Sequence, residues 1–144
     1  MQPQLDQINV VASDLPAVVA FLRNLGLDVS DTLPAWMGHH RRIDSTGTGL
    51  VVDVDSSAFA AEWGGLPRGW TGVVLVVRVD DRGAVDALHE RACAAGAVSL
   101  RQPYDAFWGA RTALVKGPDG LVFGFMSPIE PQARTAPPDP TTFA

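Results

Sequence analysis

The chain is poor in the residues on which several kinds of chemistry depend. It holds one cysteine, Cys93, in 144 residues. No internal disulfide can close, and because Cys93 falls off the apolar stripe of an expected helix, ordinary packing is its expected role. Histidines number three, and none stands at zinc-ligand spacing. Eleven Lys and Arg against sixteen Asp and Glu give a net charge of -5, which repels a phosphate backbone and excludes nucleic acid as a partner. The longest strongly apolar run, Val73 to Val77, is far shorter than the roughly 20 residues needed to span a bilayer. Residues 1–20 lack the basic start and apolar core of a signal peptide. No membrane partner is expected, and the expected location is cytoplasmic. There is no G-x-S-x-G elbow and no phosphate-binding glycine loop; the Gly-Thr-Gly of residues 47–49 reads as a hairpin turn.

What the chain does have is enough apolar sequence, 47%, for one domain with a sizeable core, and an internal repeat. GHHRRIDSTGTGLVVDV (Gly38 to Val54) and GARTALVKGPDGLVFGF (Gly109 to Phe125) have equal length and glycine placement, offset by 71 residues. Upstream of each lies the same succession. In LDQINVVA (residues 5–12) the apolar Ile8, Val10 and Ala12 alternate with Gln7 and Asn9, as in a half-buried strand. Asp14 then caps a helix with Pro16 in its first turn and Gly26 at its end. In the second half, Gly72 to Val79 forms the strand, Asp81 caps the helix and Gly96 stops it. Each half continues through a proline-containing loop, a strand, a turn (Ser45 to Gly49; Gly117 to Gly120) and a last strand. The expected fold is α+β: two tandem β-α-β-β-β modules forming a curved, cup-shaped mixed sheet with helices on its outer face. The domain spans residues 1–128, with modules at about 5–55 and 71–127. Residues 56–70 connect them, with a short helical turn near Phe59 to Trp63. Residues 129–144 form a Pro-rich tail expected to be extended and poorly ordered.

The duplicated topology, the Asp14 helix start and the KGPDGLVFG turn resemble the vicinal oxygen chelate superfamily of glyoxalases, bleomycin resistance proteins and dioxygenases. The resemblance covers about residues 5–127 and implies a cup that in the enzymes holds a metal ion on the first and last strand of each module. Counting from the capping aspartates and the turn glycines, those positions here are Gln7, Val74, Asp53 and Gly124. Two of them carry no donor atom, whereas a catalytic metal typically needs about three protein ligands. No metal and no cofactor are expected. His39 and His40, adjacent on a strand, point to opposite faces, and His89 lies on a helix outside the cup.

With the metal positions depleted, the aromatics become the main signal. Trp36, Trp63, Trp70 and Trp108 all lie in loops or at strand starts, and Trp36 and Trp108 precede equivalent glycines. Such side chains either line a concave site for a planar ligand or plug it. PYDAFWGAR (Pro103 to Arg111) adds Tyr104, Asp105, Phe107 and Arg111, whose repeat counterpart is His40; alternatively Asp105 and Arg111 simply pair with each other. Arg41, Arg42 and Asp44 read as a solvated strand face. The candidate ligand-binding residues are Gln7, Asn9, Trp36, His40, Asp53, Trp70, Tyr104, Asp105, Phe107, Trp108 and Arg111, with no catalytic residue among them. The expected activity is metal-free binding or sequestration of a small planar aromatic metabolite or antibiotic, by a protein similar to the bleomycin resistance branch. An acidic surface suits a cationic ligand. The alternative is a lyase, isomerase or dioxygenase with a weak metal site, or with Asp53 as general base. A homodimer is expected, since such modules leave sheet edges to cover.

Overall fold

The structure is a computed structural model that describes residues 2–44, 46–47 and 49–143. In chain order the elements are β1 (Gln4–Ala12), α1 (Leu15–Asn24), β2 (His40–Ile43), β3 (Val51–Ser56), α2 (Ser57–Gly64), β4 (Gly72–Arg78), α3 (Arg82–Ala94), β5 (Val98–Asp105), β6 (Arg111–Lys116) and β7 (Val122–Met126). Both expected caps form: the Asp14 carboxylate accepts from the Ala17 amide at 3.1 Å and that of Asp81 from Ala84 at 2.8 Å, satisfying amides that the first helical turn leaves unpaired.

All seven strands join one sheet in the order β2-β3-β1-β4-β7-β6-β5. In each module the first and last strands run parallel, β1 beside β3 and β4 beside β7, and the two modules meet back to back at the antiparallel β1/β4 seam. Period-two alternation then sorts side chains between two faces. On the outer face, α1 packs through Leu15 and Val19 onto Ala12 and Val54, and α3 through Val85 onto Val79, Ala113, Val115 and Phe125. On the opposite face Val11, Val74, Val76, Leu114, Val122 and Met126 meet α2 through Phe59, Ala60 and Trp63. The expectation of helices outside the cup therefore holds for α1 and α3, while α2, capped by the Ser56 hydroxyl, lies within it. Gly65 ends α2 with φ +65, where a Cβ would come within 2.1 Å of the Leu100 carbonyl oxygen; no other residue fits so close an approach.

The two modules are not equal. The strand expected after α1 shrinks to a single bridge between Val29 and Ile43, flanked by Ser30 N to Arg42 O and Asp44 N to Asp28 O. Pro34 lacks the amide a ladder needs and instead opens a short 3-10 turn over Pro34–Trp36. Near the start of β1 the register against β4 shifts between Leu5 and Gln7. That bulge leaves Leu5 57% exposed. The turn expected over Ser45 to Gly49 lies partly outside the described residues, at Ser45 and Thr48; Gly47 and Gly49 both have φ near +75 (74 and 76). Beyond β7 the tail is extended chain with two short 3-10 turns. Its Phe143 stacks on Phe59 with ring centroids 5.4 Å apart, and Glu130 pairs with Arg82 at 3.1 Å.

Candidate functional site

Register places the polar residues of the first module on one wall. In the β2/β3 pair, His40 stands opposite Asp55 and Arg42 opposite Asp53. Residues two apart on a strand share a face, so all four side chains meet on the cup side, beside Gln7 and Asn9 of β1. They form a continuous chain. Gln7 Nε2 donates to Asn9 Oδ1 at 2.8 Å, Asn9 Nδ2 donates to Asp55 Oδ2 at 2.9 Å, and His40 Nδ1 lies 2.5 Å from Asp55 Oδ1. Arg42 grips Asp53 with both arms, Nε to Oδ1 at 2.7 Å and Nη2 to Oδ2 at 3.1 Å. Asp55 is 1% exposed. Burial pushes its carboxyl above the usual range, opposed by the bonds from His40 and Asn9. Burial of His40 would lower the imidazole, but its hydrogen bond to Asp55 and the nearby negative charge raise it overall.

The opposite wall comes from the second module and is apolar: Val76, Leu114, Gly124 and Met126, with Thr112 as its one hydroxyl. Aromatic side chains close the ends. Trp36 meets Phe59 edge-on at 5.0 Å and Phe107 at 6.3 Å, and Phe107 meets Trp108 at 5.2 Å. Between these walls lies a cavity of about 360 Å³, bordered also by Trp63 and, from the tail, by Ile129 and Pro137. Trp36, Phe107 and Trp108 are half-buried. The indole N–H of Trp63 is buried without a hydrogen-bond partner among the described residues.

Of the residues singled out in the sequence, Gln7, Asn9, Trp36, His40, Asp53, Phe107 and Trp108 line this cavity. Four others do not. Arg111 was matched to His40 through the repeat glycines, but register pairs His40 with Asp55 and Thr112 with Met126. The true counterpart of His40 is thus Thr112, one residue further on, and a one-residue slip reverses the face. Arg111 points to the outer side and binds Asp86 through two bonds of 2.8 and 2.9 Å. Asp105, opposite Arg111 in register, shares that side and pairs with Arg82 and Arg111. Tyr104 donates to the Trp63 carbonyl at 2.8 Å, and burial pushes its hydroxyl up to about 12. Trp70 lies over Gly72, where a Cβ would come within 3.0 Å of its ring.

Of the expected solvated face of Arg41, Arg42 and Asp44, Arg42 and Asp44 are exposed, Arg42 at the border of the cup, whereas Arg41 is buried and bonds Ser30 O and Asp31. Asp55, Arg42 and Phe59 are among the lining residues that sequence reasoning missed. The signal was there, since Asp53 and Asp55, like His40 and Arg42, are spaced by two on strands that hairpin together. Outside the cup, His89 Nε2 lies 2.8 Å from Ser99 Oγ and 3.9 Å from the Cys93 sulfur, and Cys93 packs against the core beneath α3.

The donor set does not fit a divalent metal at the positions used by the metal enzymes that the sequence resembles. In register Gln7 stands beside Val51 and Val74 beside the equivalent Val122, so Val74 is the counterpart of Gln7, as Gly124 is of Asp53. Neither Val74 nor Gly124 has a donor atom. Asp53 gives both oxygens to Arg42, whose charge opposes a second cation. Among the described residues no group of three His, Cys, Asp or Glu comes together at metal-binding distance. Nor, among them, is any helix long and apolar enough to cross a membrane.

The family model for the Glyoxalase/Bleomycin resistance protein/Dioxygenase superfamily matches residues 4–125. Several solved structures are similar in fold. The methylmalonyl-CoA epimerase from Mycobacterium tuberculosis superposes with TM-score 0.59 at 18% identity, covering 90% of this chain and 90% of that one. The Mn(II)-bound glyoxalase from Novosphingobium aromaticivorans gives TM-score 0.59 at 20% identity, over 92% of this chain and 41% of that one. A glyoxalase/bleomycin resistance protein/dioxygenase superfamily member from Vibrio splendidus 12B01 gives 0.56 at 17% identity, over 88% and 98%. At such identities the likeness concerns the fold alone. No curated protein matches the chain.

Proposed function

The chain belongs to the glyoxalase/bleomycin resistance protein/dioxygenase superfamily, and on that scaffold we propose that its cup binds, without a metal ion, a small planar aromatic molecule, either a metabolite or an antibiotic. The observation that carries this reading is the composition of one cavity: Trp36, Phe59, Phe107 and Trp108 at its ends, an apolar wall of Val76, Leu114 and Met126, and a hydrogen-bonded polar wall opposite. Aromatic faces supply burial and offset stacking, and the polar wall fixes which way the ring enters. A preference for a cationic ligand draws no support from the cup itself, because Asp53 and Asp55 are already partnered by Arg42 and His40.

Titration of a panel of aromatic compounds, read by tryptophan fluorescence and by native mass spectrometry with elemental analysis of the same sample, tests the reading. Saturable quenching without a stoichiometric metal is the expected result. A full equivalent of zinc, nickel, manganese or iron, required for binding, would overturn it in favour of the enzyme alternative. For that alternative Asp53 is a poor general base, since both its oxygens already accept from a guanidinium. The homodimer is likewise a proposal, supported by a sheet that ends on the edge strands β2 and β5; sedimentation at micromolar concentration checks it.

A further inference from the structure

Among the polar groups of the cup, His40 alone combines a ring nitrogen that is firmly held with one that is free. Its Nδ1 is bonded to Asp55 Oδ1 at 2.5 Å, and the other oxygen of that carboxylate accepts from Asn9 at 2.9 Å. A buried carboxylate bound in this way fixes both the orientation of the ring and the tautomer that carries hydrogen on Nδ1. The ring stands edge-on to Phe59 at 6.0 Å and forms part of the cavity wall. Nε2 has no hydrogen-bond partner among the described residues. It is therefore an acceptor when the imidazole is neutral and a donor when it is charged.

The choice of what it binds follows from its neighbours. Arg42, the other cation of the cup, spends its Nε–Nη2 face and its charge on Asp53, while His40 offers the single site Nε2, too few donors for the two-point contact that a carboxylate favours. A single hydroxyl oxygen needs one donor. We propose that His40, held by Asp55, is the anchor for an acidic aromatic hydroxyl, which it binds as the oxyanion. The ligand O–H bond breaks, its electron pair stays on oxygen, and the proton forms a bond to Nε2, giving an imidazolium beside the Asp55 carboxylate. A neutral phenol that binds in this way leaves the net charge of the cup unchanged. The groups facing His40 are Asp55 and Asp53 of β3, Arg42 of β2, Asn9 of β1 and Phe59 of α2. Their net effect is to raise the imidazole, which strengthens it as a base for this transfer. The inference rests on the aromatic-cup reading and specifies the polar end of the ligand.

Two probes separate the two ideas. Para-nitrophenol reports its own ionisation by its yellow anion band, and para-nitroanisole has the same ring but no acidic proton. With the wild-type chain, bound para-nitrophenol is expected to ionise about one pH unit or more below its free value, and to bind about tenfold more tightly than the ether. In His40→Asn the amide N–H can still donate to Asp55 but nothing titrates; the spectral shift is expected to be lost and the tenfold preference for para-nitrophenol over the ether to fall to about equal binding. Asp55→Asn, which keeps hydrogen-bonding capacity but removes the charge, should at least halve the shift, and it decides the matter if His40→Asn does not fold. Both probes binding equally with no shift would overturn the inference and leave the aromatic cup standing. A shift that persists unchanged in His40→Asn, or in Asp55→Asn where that variant decides, would overturn it too. Failure of both probes to bind at millimolar concentration would remove the aromatic reading, and the anchor with it.

Discussion

The two modules share one topology and build opposite walls of one cup. By register, His40 and Arg42 of β2 correspond to Thr112 and Leu114 of β6, and Asp53 and Asp55 of β3 to Gly124 and Met126 of β7. Each of these four polar cup positions of the first module is thus matched by an uncharged one in the second. A symmetric cup of either kind would do less. Two apolar walls would hold a ring without orienting it, and two walls of partnered charges would leave little apolar surface to bury. Divergence after duplication has separated the two tasks, and the helices show the same division: α1 and α3 hold the outer faces in equivalent ways, while α2 has no counterpart and supplies Phe59 and Trp63 to the cup.

If the polar wall is a connected unit, its centre should be the most costly place to cut. Asp55→Ala leaves the Nδ1 of His40 and the amide of Asn9 without their acceptor around a buried void. We expect a loss of about 3 kcal/mol in urea unfolding, against about 1 kcal/mol for Asp55→Asn. A cost under about 1 kcal/mol for the alanine variant would mean that the wall is not held together through this carboxylate.

Most of the architecture was legible in the sequence because it is written in short-range terms. Asp14 and Asp81 announce helix starts, Gly26 and Gly96 their ends, and the repeat fixes how many elements each module holds. The failures came where one residue decides a face. Equal spacing of the glycines suggested that Arg111 matches His40, yet β6 is displaced by one residue relative to β2 while the last strands keep the glycine spacing, which turned Arg111 outward. Asp55 was treated as the end of a module instead of the next inward position after Asp53. The strand expected after α1, reduced to the Val29–Ile43 bridge, has a local cause in Pro34, but propensity alone could not show how little of the ladder would survive. Trp36 and Trp108 were reached by a sounder route, since a rim position depends on loop order more than on strand register.

A second way to sharpen the comparison is to remove an aromatic end and leave both walls intact. Trp108 is half-buried and packs edge-on against Phe107. Trp108→Ala is expected to weaken an aromatic ligand by about 1–3 kcal/mol and to cost less in folding, because its ring already has one side toward the cavity. Deletion of the fully enclosed Leu114 side chain should show the reverse order, with about 2–5 kcal/mol lost from stability. Unfolding of Trp108→Ala under native conditions would show that the indole plugs the cup.

A smaller effect is expected at Gly124, the counterpart of Asp53. A Cβ there meets Val76 at 3.6 Å, Val74 at 3.7 Å and Ala113 O at 3.8 Å, all ordinary contacts. Gly124→Ala should therefore leave stability within about 1 kcal/mol of the parent, on the stabilising side, through lower entropy of the unfolded chain. The added methyl group narrows the cavity on its apolar side, so bulky ligands should lose affinity before small ones do. Equal losses for all ligands would place the ring elsewhere.

The smallest expected effect separates the walls by titration. The apolar wall has nothing that ionises, whereas His40 is held above its ordinary 6.5 by its bond to Asp55 and the surrounding negative charge, against the opposing effect of burial. A folded-state value above the unfolded one means that the native chain holds this proton more tightly. The stabilisation is complete below pH 6.5 and declines as pH rises through the folded value. Because the His40 side chain is 37% exposed, solvent screens the contribution and the slope should be shallow. His40→Asn should flatten that part of the stability profile, and Thr112→Val, on the other wall, should leave it in place. An identical slope in His40→Asn would assign the titration to another group and would leave the Asp55 contact as a hydrogen bond without a charged partner.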